Sequence, residues 1–243
     1  MRLLKALTHP FIVRYHDSWV DREAGALWIV CHYCAGGDLA SHIAQRSTIP
    51  PTAPNRYFPE GQVLDWFIEL CLALRYCHDR KLLHRDIKTQ NIFLNQHNTC
   101  KLGDFGIARV LTATREMASS VVGTPYALAP EVCESKAYSY AADVWALGCV
   151  LYEMCSLRRP FEADNLLGLV WKIVHCQPKD IVEGAYSDEL RGLVSVMLHK
   201  DSSKRPSIKD ILMLPFIQQR VPIIVEQMKQ RKLEKRSKQK RRE

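Results

Sequence analysis

The first glycine of this 243-residue chain is Gly25, and G-x-G-x-x-G occurs nowhere in it. These residues therefore hold no glycine loop of the kind whose backbone cradles a phosphate chain. No apolar run approaches the ~20 residues that a membrane-spanning helix requires. The opening stretch MRLLKALTHP is broken by Lys5 and offers no signal-peptide cleavage site, so an intracellular, cytoplasmic protein is expected. Cysteine itself is not scarce, but a pairing pattern is. The nine cysteines are scattered and odd in number, which argues against a disulfide framework. Only Cys31 and Cys34 have C-x-x-C spacing, and no second pair completes a zinc site. They are expected to be small buried or semi-buried thiols.

What is present is the composition of an ordinary globule, 47% hydrophobic and 25% charged, long enough to bury one large domain or two small lobes. The net charge of +8 is unevenly placed: KQRKLEKRSKQKRRE (229–243) holds nine Lys/Arg against two Glu, leaving the rest almost neutral. The basicity describes a tail and not a nucleic-acid-binding body. No aromatic interleaving accompanies it, so nucleic acid is not an expected partner. Like charges repel along the tail, and it is expected to be mobile or helical only in part.

Two β-rich runs come early, FIVRYHDSWV (11–20) and ALWIVCHY (26–33), joined by a hairpin-type connection that contains Gly25. Asp38 then stands near a helix start, and IPPTAPNRYFP (49–59) reads as a loop. Apolar residues recur at helical spacing from Gln62 to His78. NIFL and CKLGDFG suggest two short strands around a turn at NQHNT. Beyond residue 107 the chain reads as mostly helical. AADVWALGCVLYEMC (141–155) is apolar nearly all round and should be a buried helix. DNLLGLVWKIVHC, SDELRGLVSVMLHK and SIKDILMLPFI are amphipathic, with Ser187 and Ser207 as N-caps of the last two.

The most informative stretch is LLHRDIKTQNIFL (82–94), where a dense set of charges is flanked by apolar residues. On one tight loop the side chains of Asp86, Lys88 and Asn91 can converge. A carboxylate can accept a hydroxyl proton, an ammonium can neutralise a transferring phosphoryl group, and a carboxamide oxygen can ligate Mg²⁺. That is the division of labour phosphoryl transfer needs. Asp104 in GDFG is a ready second metal ligand.

HRDIKTQN (84–91) resembles the catalytic loop H-R-D-x-K-x-x-N of eukaryotic protein kinases, and DFG (104–106) and APE (129–131) follow in order. Lys88 and GTPY (123–126) resemble the serine/threonine class. HPFIVRYHDSW, YCAGGDL and LGDFGIARVL are similar to the NIMA-related (NEK) kinase family, over residues 1 to about 218.

The resemblance implies an α+β, protein-kinase-like fold with an incomplete small β lobe and a mainly helical C-terminal lobe. It implies a kinase domain over 1–218 and a basic tail over 219–243, with ATP and Mg²⁺ as cosubstrate and cofactor. Asp86 would orient the substrate hydroxyl and accept its proton, with Lys88 and Thr124 beside it. Asn91 and Asp104 would hold Mg²⁺. Cys31 would be the gatekeeper, Cys34 a hinge backbone partner for adenine, Asp38 a ribose neighbour and Phe93 a surface under the adenine ring. Arg85 would bind a phosphate on the 107–128 segment. Ser120 matches the usual phosphoacceptor, with Ser119, Thr114 and Thr112 as competitors. Asp143 would be a structural aspartate, and Arg205 would pair with Glu131. Partners would be protein substrates, with cytoskeletal, centrosomal or ciliary proteins suggested by the family and no membrane.

A kinase also uses a Gly-rich loop, a β3 lysine and an αC glutamate. Aligned on His9 and Pro10, MRLLKALT matches the back half of αC, and the glutamate would fall just before Met1. The expectation is an N-terminally truncated kinase, inactive as it stands. The alternative is a catalytically inactive kinase-like module that binds a partner or substrate.

Overall fold

A computed structural model of the protein describes residues 7–104, 126–182 and 184–240, with side chains as far as residue 230. The small β part holds an antiparallel hairpin of β1 (Tyr15–Asp21) and β2 (Ala26–Cys31). Its register shifts between Tyr15 and Asp17, and its turn places Gly25 at φ +61°, a left-handed value that glycine adopts without strain. Trp19 pairs with Trp28 across the hairpin and their rings stack, yet each is about half exposed. The first run thus pairs only from Tyr15 onward. Residues before it turn to the other sheet instead, through an Ile12–Leu102 parallel bridge.

The helical part begins with α1 (Leu39–Ser47) and α2 (Glu60–Asp79). Then come a 3-10 turn (Thr89–Asn91) and the antiparallel pair β3 (Ile92–Leu94) and β4 (Cys100–Leu102). Next follow α3 (Pro130–Cys133), α4 (Tyr140–Ser156), α5 (Leu166–His175) and α6 (Asp188–Met197). Two short helices, α7 (Ile208–Leu212) and α8 (Pro215–Gln218), lead into α9 (Val221–Lys240). The core is built on α2 and α4. Every residue of α4 from Ala142 to Ser156 is buried, as its all-round apolarity requires. Gly148 lets α4 approach α6, since a Cβ there would lie 2.9 Å from the Met197 Cβ. Ser187 and Ser207 cap their helices as expected, Ser207 in a reciprocal capping box with Asp210.

Two expectations change. SIKDILMLPFI is not one helix: Pro215 pushes Leu214 into an extended conformation (φ −62°, ψ 135°) and starts a second helix at its own first position. The basic tail is not merely part-helical. Its backbone is helical from Val221 to Lys240, because Lys, Arg, Gln and Glu are good helix formers and the N-terminal turns are anchored. Ile224 is buried, Val221 and Met228 pack on the core, and Arg220 forms a two-pronged ion pair with Asp65 of α2. Packing therefore runs past the composition break near 219. No described helix is long and apolar enough to cross a membrane.

Candidate active site

The loop after α2 is held from beneath by one carboxylate. Asp143, in the first turn of α4, is fully buried and accepts the backbone N–H groups of His84 (3.0 Å) and Arg85 (3.0 Å) on its two oxygens. His78 Nε2 (2.9 Å) and the Tyr138 hydroxyl (2.7 Å) also donate to it. Burial pushes this carboxyl up, but the His78 bond, the attraction of His84, and the His84 N–H and Tyr138 bonds together hold it below its ordinary value. Gripping two successive amides bends the chain: Arg85 sits at φ +68°, a left-handed value that a non-glycine residue adopts only where its surroundings fix it.

His84 is buried and links the loop to the end of β4. Its Nε2 donates to the Gly103 carbonyl (3.0 Å) and its Nδ1 accepts the Asp86 N–H (3.3 Å). Burial lowers its pKa against the pull of Asp143 and the Gly103 bond.

Above this base the expected site residues converge. Lys88 Nζ lies 2.9 Å from Asp86 Oδ2, and Asn91 Nδ2 donates to the same oxygen (2.7 Å) and to the Asp86 carbonyl (2.8 Å). The Asp86 side chain keeps 40% of its surface exposed, so it can still meet a substrate. The Gly103 N–H donates to the Asn91 carbonyl (2.9 Å), which brings Asp104, exposed and at φ +48°, to the same edge.

The residues expected around a nucleotide lie on the neighbouring strand and linker. The linker follows β3, with the Gly36 N–H on Leu94 O and the Leu94 N–H on Gly37 O, both 2.8 Å. Phe93 lies against Gly103, where a Cβ would be 2.7 Å from the ring. Asp38 bridges to Phe93 and caps α1, accepting the Ser41 N–H and hydroxyl, both at 2.8 Å. Cys34 is buried and its carbonyl accepts the Gly37 N–H (3.2 Å). Cys31 is exposed, contrary to the buried or semi-buried thiol expected, because β2 lies on a hairpin that no other described element covers. All nine cysteines are free.

The second scaffold contact is the buried ion pair of Arg205 with Glu131, two parallel bonds of 2.8 Å. Arg205 also donates to the carbonyls of Ala141, His199 and Lys200, so the guanidinium ties α3 to the start of α4 and the end of α6. Thr124, Ser120, Ser119, Thr114 and Thr112 lie outside the described residues, as do Phe105 and Gly106.

The oxygen donors suit a magnesium–nucleotide. Asn91 turns its Nδ2 to Asp86 and so leaves Oδ1 for a cation, and Asp104 directly follows Gly103, whose N–H bonds the Asn91 carbonyl. Among the described residues no three His, Cys, Asp or Glu groups form a cage. Mg²⁺ asks for none: it is typically held by one or two side chains, waters and the phosphates themselves.

Sequence reasoning overlooked a second layer. Thr89, fully buried, donates its hydroxyl to Glu153 of α4 (3.2 Å), while the Tyr126 hydroxyl donates to Gln90 and the Arg159 guanidinium lies 4.1 Å from the Tyr126 ring centre. The available signal was a lone acid, Glu153, inside the apolar run CVLYEMC.

A model of the family described as "Protein kinase domain" matches residues 1–217. The chain is 49% identical over 220 residues to the serine/threonine-protein kinase Nek1 of Mus musculus, covering 90% of this chain and 17% of that protein. It is 46% identical over 221 residues to the human serine/threonine-protein kinase Nek5, covering 90% of this chain and 30% of that one. It is 41% identical over 228 residues to the serine/threonine-protein kinase Nek4 of Mus musculus, covering 94% and 28%. The chain thus spans less than a third of the length of these curated relatives.

Proposed function

This chain belongs to the protein kinase family, in its NIMA-related (Nek) branch, and from that premise we propose that it carries the transfer centre of a serine/threonine kinase. The observation that carries the reading is the convergence of Lys88 and Asn91 on one oxygen of Asp86. Asp86 orients a protein Ser/Thr hydroxyl and accepts its proton as the Oγ bonds to the ATP γ-phosphorus, while the bond from that phosphorus to the β,γ-bridging oxygen breaks and ADP leaves with the electron pair. Lys88 neutralises the charge on the transferring group. Asn91 and Asp104 hold Mg²⁺, which when bound offsets the charge of the phosphates. Cys31, Cys34, Asp38 and Phe93 frame the nucleotide. Thr124 joins Asp86 and Lys88, and Ser120 is the phosphoacceptor whose phosphate Arg85 binds. We assign the kinase domain to 1–218 and the basic segment to 219–243. Cytoplasmic protein substrates, including cytoskeletal, centrosomal or ciliary ones, are supported by family resemblance alone.

Residues 1–243 contain no Gly-rich loop, and a polypeptide of these residues alone should transfer phosphate at or near background. A polypeptide extended upstream with such a loop and its lysine should phosphorylate a generic Ser/Thr substrate. There Asp86→Asn should abolish transfer and Ser120→Ala should lower it several-fold. Equal transfer by the Asp86→Asn form would refute the catalytic reading, and no transfer by the extended polypeptide would favour the binding module.

A further inference from the structure

The 3-10 turn Thr89–Asn91 separates Lys88 from Asn91, so its geometry sets where both point. It is tied to the protein on both sides by side chains the transfer reaction does not use. On the inner side the Thr89 hydroxyl donates to Glu153 Oε2 at 3.2 Å, with Thr89 at 0% and Glu153 at 5% exposure. On the outer side Gln90 accepts the Tyr126 hydroxyl. Glu153 is unusual in its setting. It is an acid in the middle of a buried apolar helix, and its second oxygen, Oε1, is buried without a hydrogen-bond partner among the described residues. A buried acid with half its acceptor capacity unused is costly.

We infer that Glu153 is a positioning residue: its carboxyl, bonded to the Thr89 hydroxyl, clamps the turn that aims Lys88 and Asn91 at the reacting groups. This deepens, and rests on, the reading of the loop as a phosphoryl-transfer centre. The charge state of the clamp follows from its surroundings. Burial raises the Glu153 carboxyl to about 7, the Thr89 bond and Arg159 opposing and Glu162 adding. Tyr126 and Cys149 are the other titratable groups within its influence. The acid is thus neutral below that pH and becomes a desolvated anion above it.

The test needs no turnover. In the 1–243 polypeptide, hydrogen exchange at the Asn91 amide (bonded to Lys88 O, 2.9 Å) and the Gly103 amide (bonded to Asn91 O, 2.9 Å) reports the turn. Amides of α6 report the body. Thr89→Val and Glu153→Ala should speed exchange at Asn91 and Gly103 by about tenfold or more, the loss of a buried hydrogen bond, and leave α6 unchanged. Thr89→Ser and Glu153→Gln, which keep donor and acceptor, should restore protection. Wild-type protection at the turn, corrected for intrinsic exchange, should fall between about pH 6 and 8, and that of Glu153→Gln should stay level. In an upstream-extended, transfer-active polypeptide, Glu153→Ala should lower kcat and leave the KM for ATP within about twofold. Unchanged exchange at the turn in Thr89→Val and Glu153→Ala would overturn the inference. So would loss of protection throughout the body in Thr89→Val, which removes only one hydroxyl. A clamp intact by exchange but with no Asp86-dependent transfer would refute the kinase reading and leave the clamp standing.

Discussion

Asp143 and Glu153 are two buried carboxyls on the same helix, and they are driven in opposite directions. Asp143 receives hydrogen bonds from two backbone amides, a histidine and a tyrosine, which outweigh desolvation and keep it anionic. Glu153 receives one hydroxyl, and desolvation wins, raising it to about 7. The consequences for stability have opposite signs. With its folded pKa depressed, Asp143 contributes stability above its unfolded value that is lost as pH falls through the folded value. With its pKa raised, Glu153 contributes stability that is complete below about 4.5 and is lost as pH rises through about 7. Glu153→Gln should therefore flatten the decline over that window. At pH 8 it should be more stable than the wild type by on the order of 1–3 kcal/mol, read from urea midpoints. An unchanged pH dependence would mean the carboxyl is solvated.

At the scale of elements, α9 is two things in one helix. Its first turns are packed: Ile224 is buried, Met228 contacts the core and Arg220, just before the helix, holds Asp65. From Lys229 on, the sequence is strongly basic. Ending the chain after Met228 should leave the urea midpoint of the helical part nearly unchanged. Ile224→Ala should cost about 2–4 kcal/mol, the loss of a buried branched side chain and the cavity left behind. A large loss on truncation would show that the basic turns are packed as well. The division was half legible. The charge run marks where the polar helix lies, but the same Lys, Arg and Glu side chains carry both mutual repulsion and high helix propensity, and composition alone does not say which prevails.

At the scale of the whole molecule, stability is unevenly spread. The α2–α4 core is continuous and apolar, whereas the β1–β2 hairpin keeps Trp19, Val20, Leu27, Trp28, Ile29 and Val30 exposed. A two-stranded hairpin with little cover is marginal. Amides of 15–31 should exchange through local opening, orders of magnitude faster than those of 60–79 and 140–156. Equal protection in hairpin and core would contradict this gradient and indicate that the hairpin faces are covered in solution.

The sequence by itself determined the elements and the chemistry of the loop. Helical periodicity marks α2, all-round apolarity marks α4, Ser187 and Ser207 mark helix starts, and HRDIKTQN groups Asp86, Lys88 and Asn91 within a few residues. Such features are local, and local spacing is what a sequence displays. Only the tertiary structure decided what holds them: Asp143 reaches back 59 residues to His84, Glu131 meets Arg205 across 74, and Glu153 supports Thr89 across 64. The kinase resemblance supplied the expectation of a structural aspartate and an Arg205–Glu131 pair, but not Thr89–Glu153, because no spacing rule links a hydroxyl in a loop to an acid on a distant helix. It is burial that makes that pair matter. In water a threonine and a glutamate have little reason to meet, whereas inside the core each must find a partner, and the chain path leaves them each other.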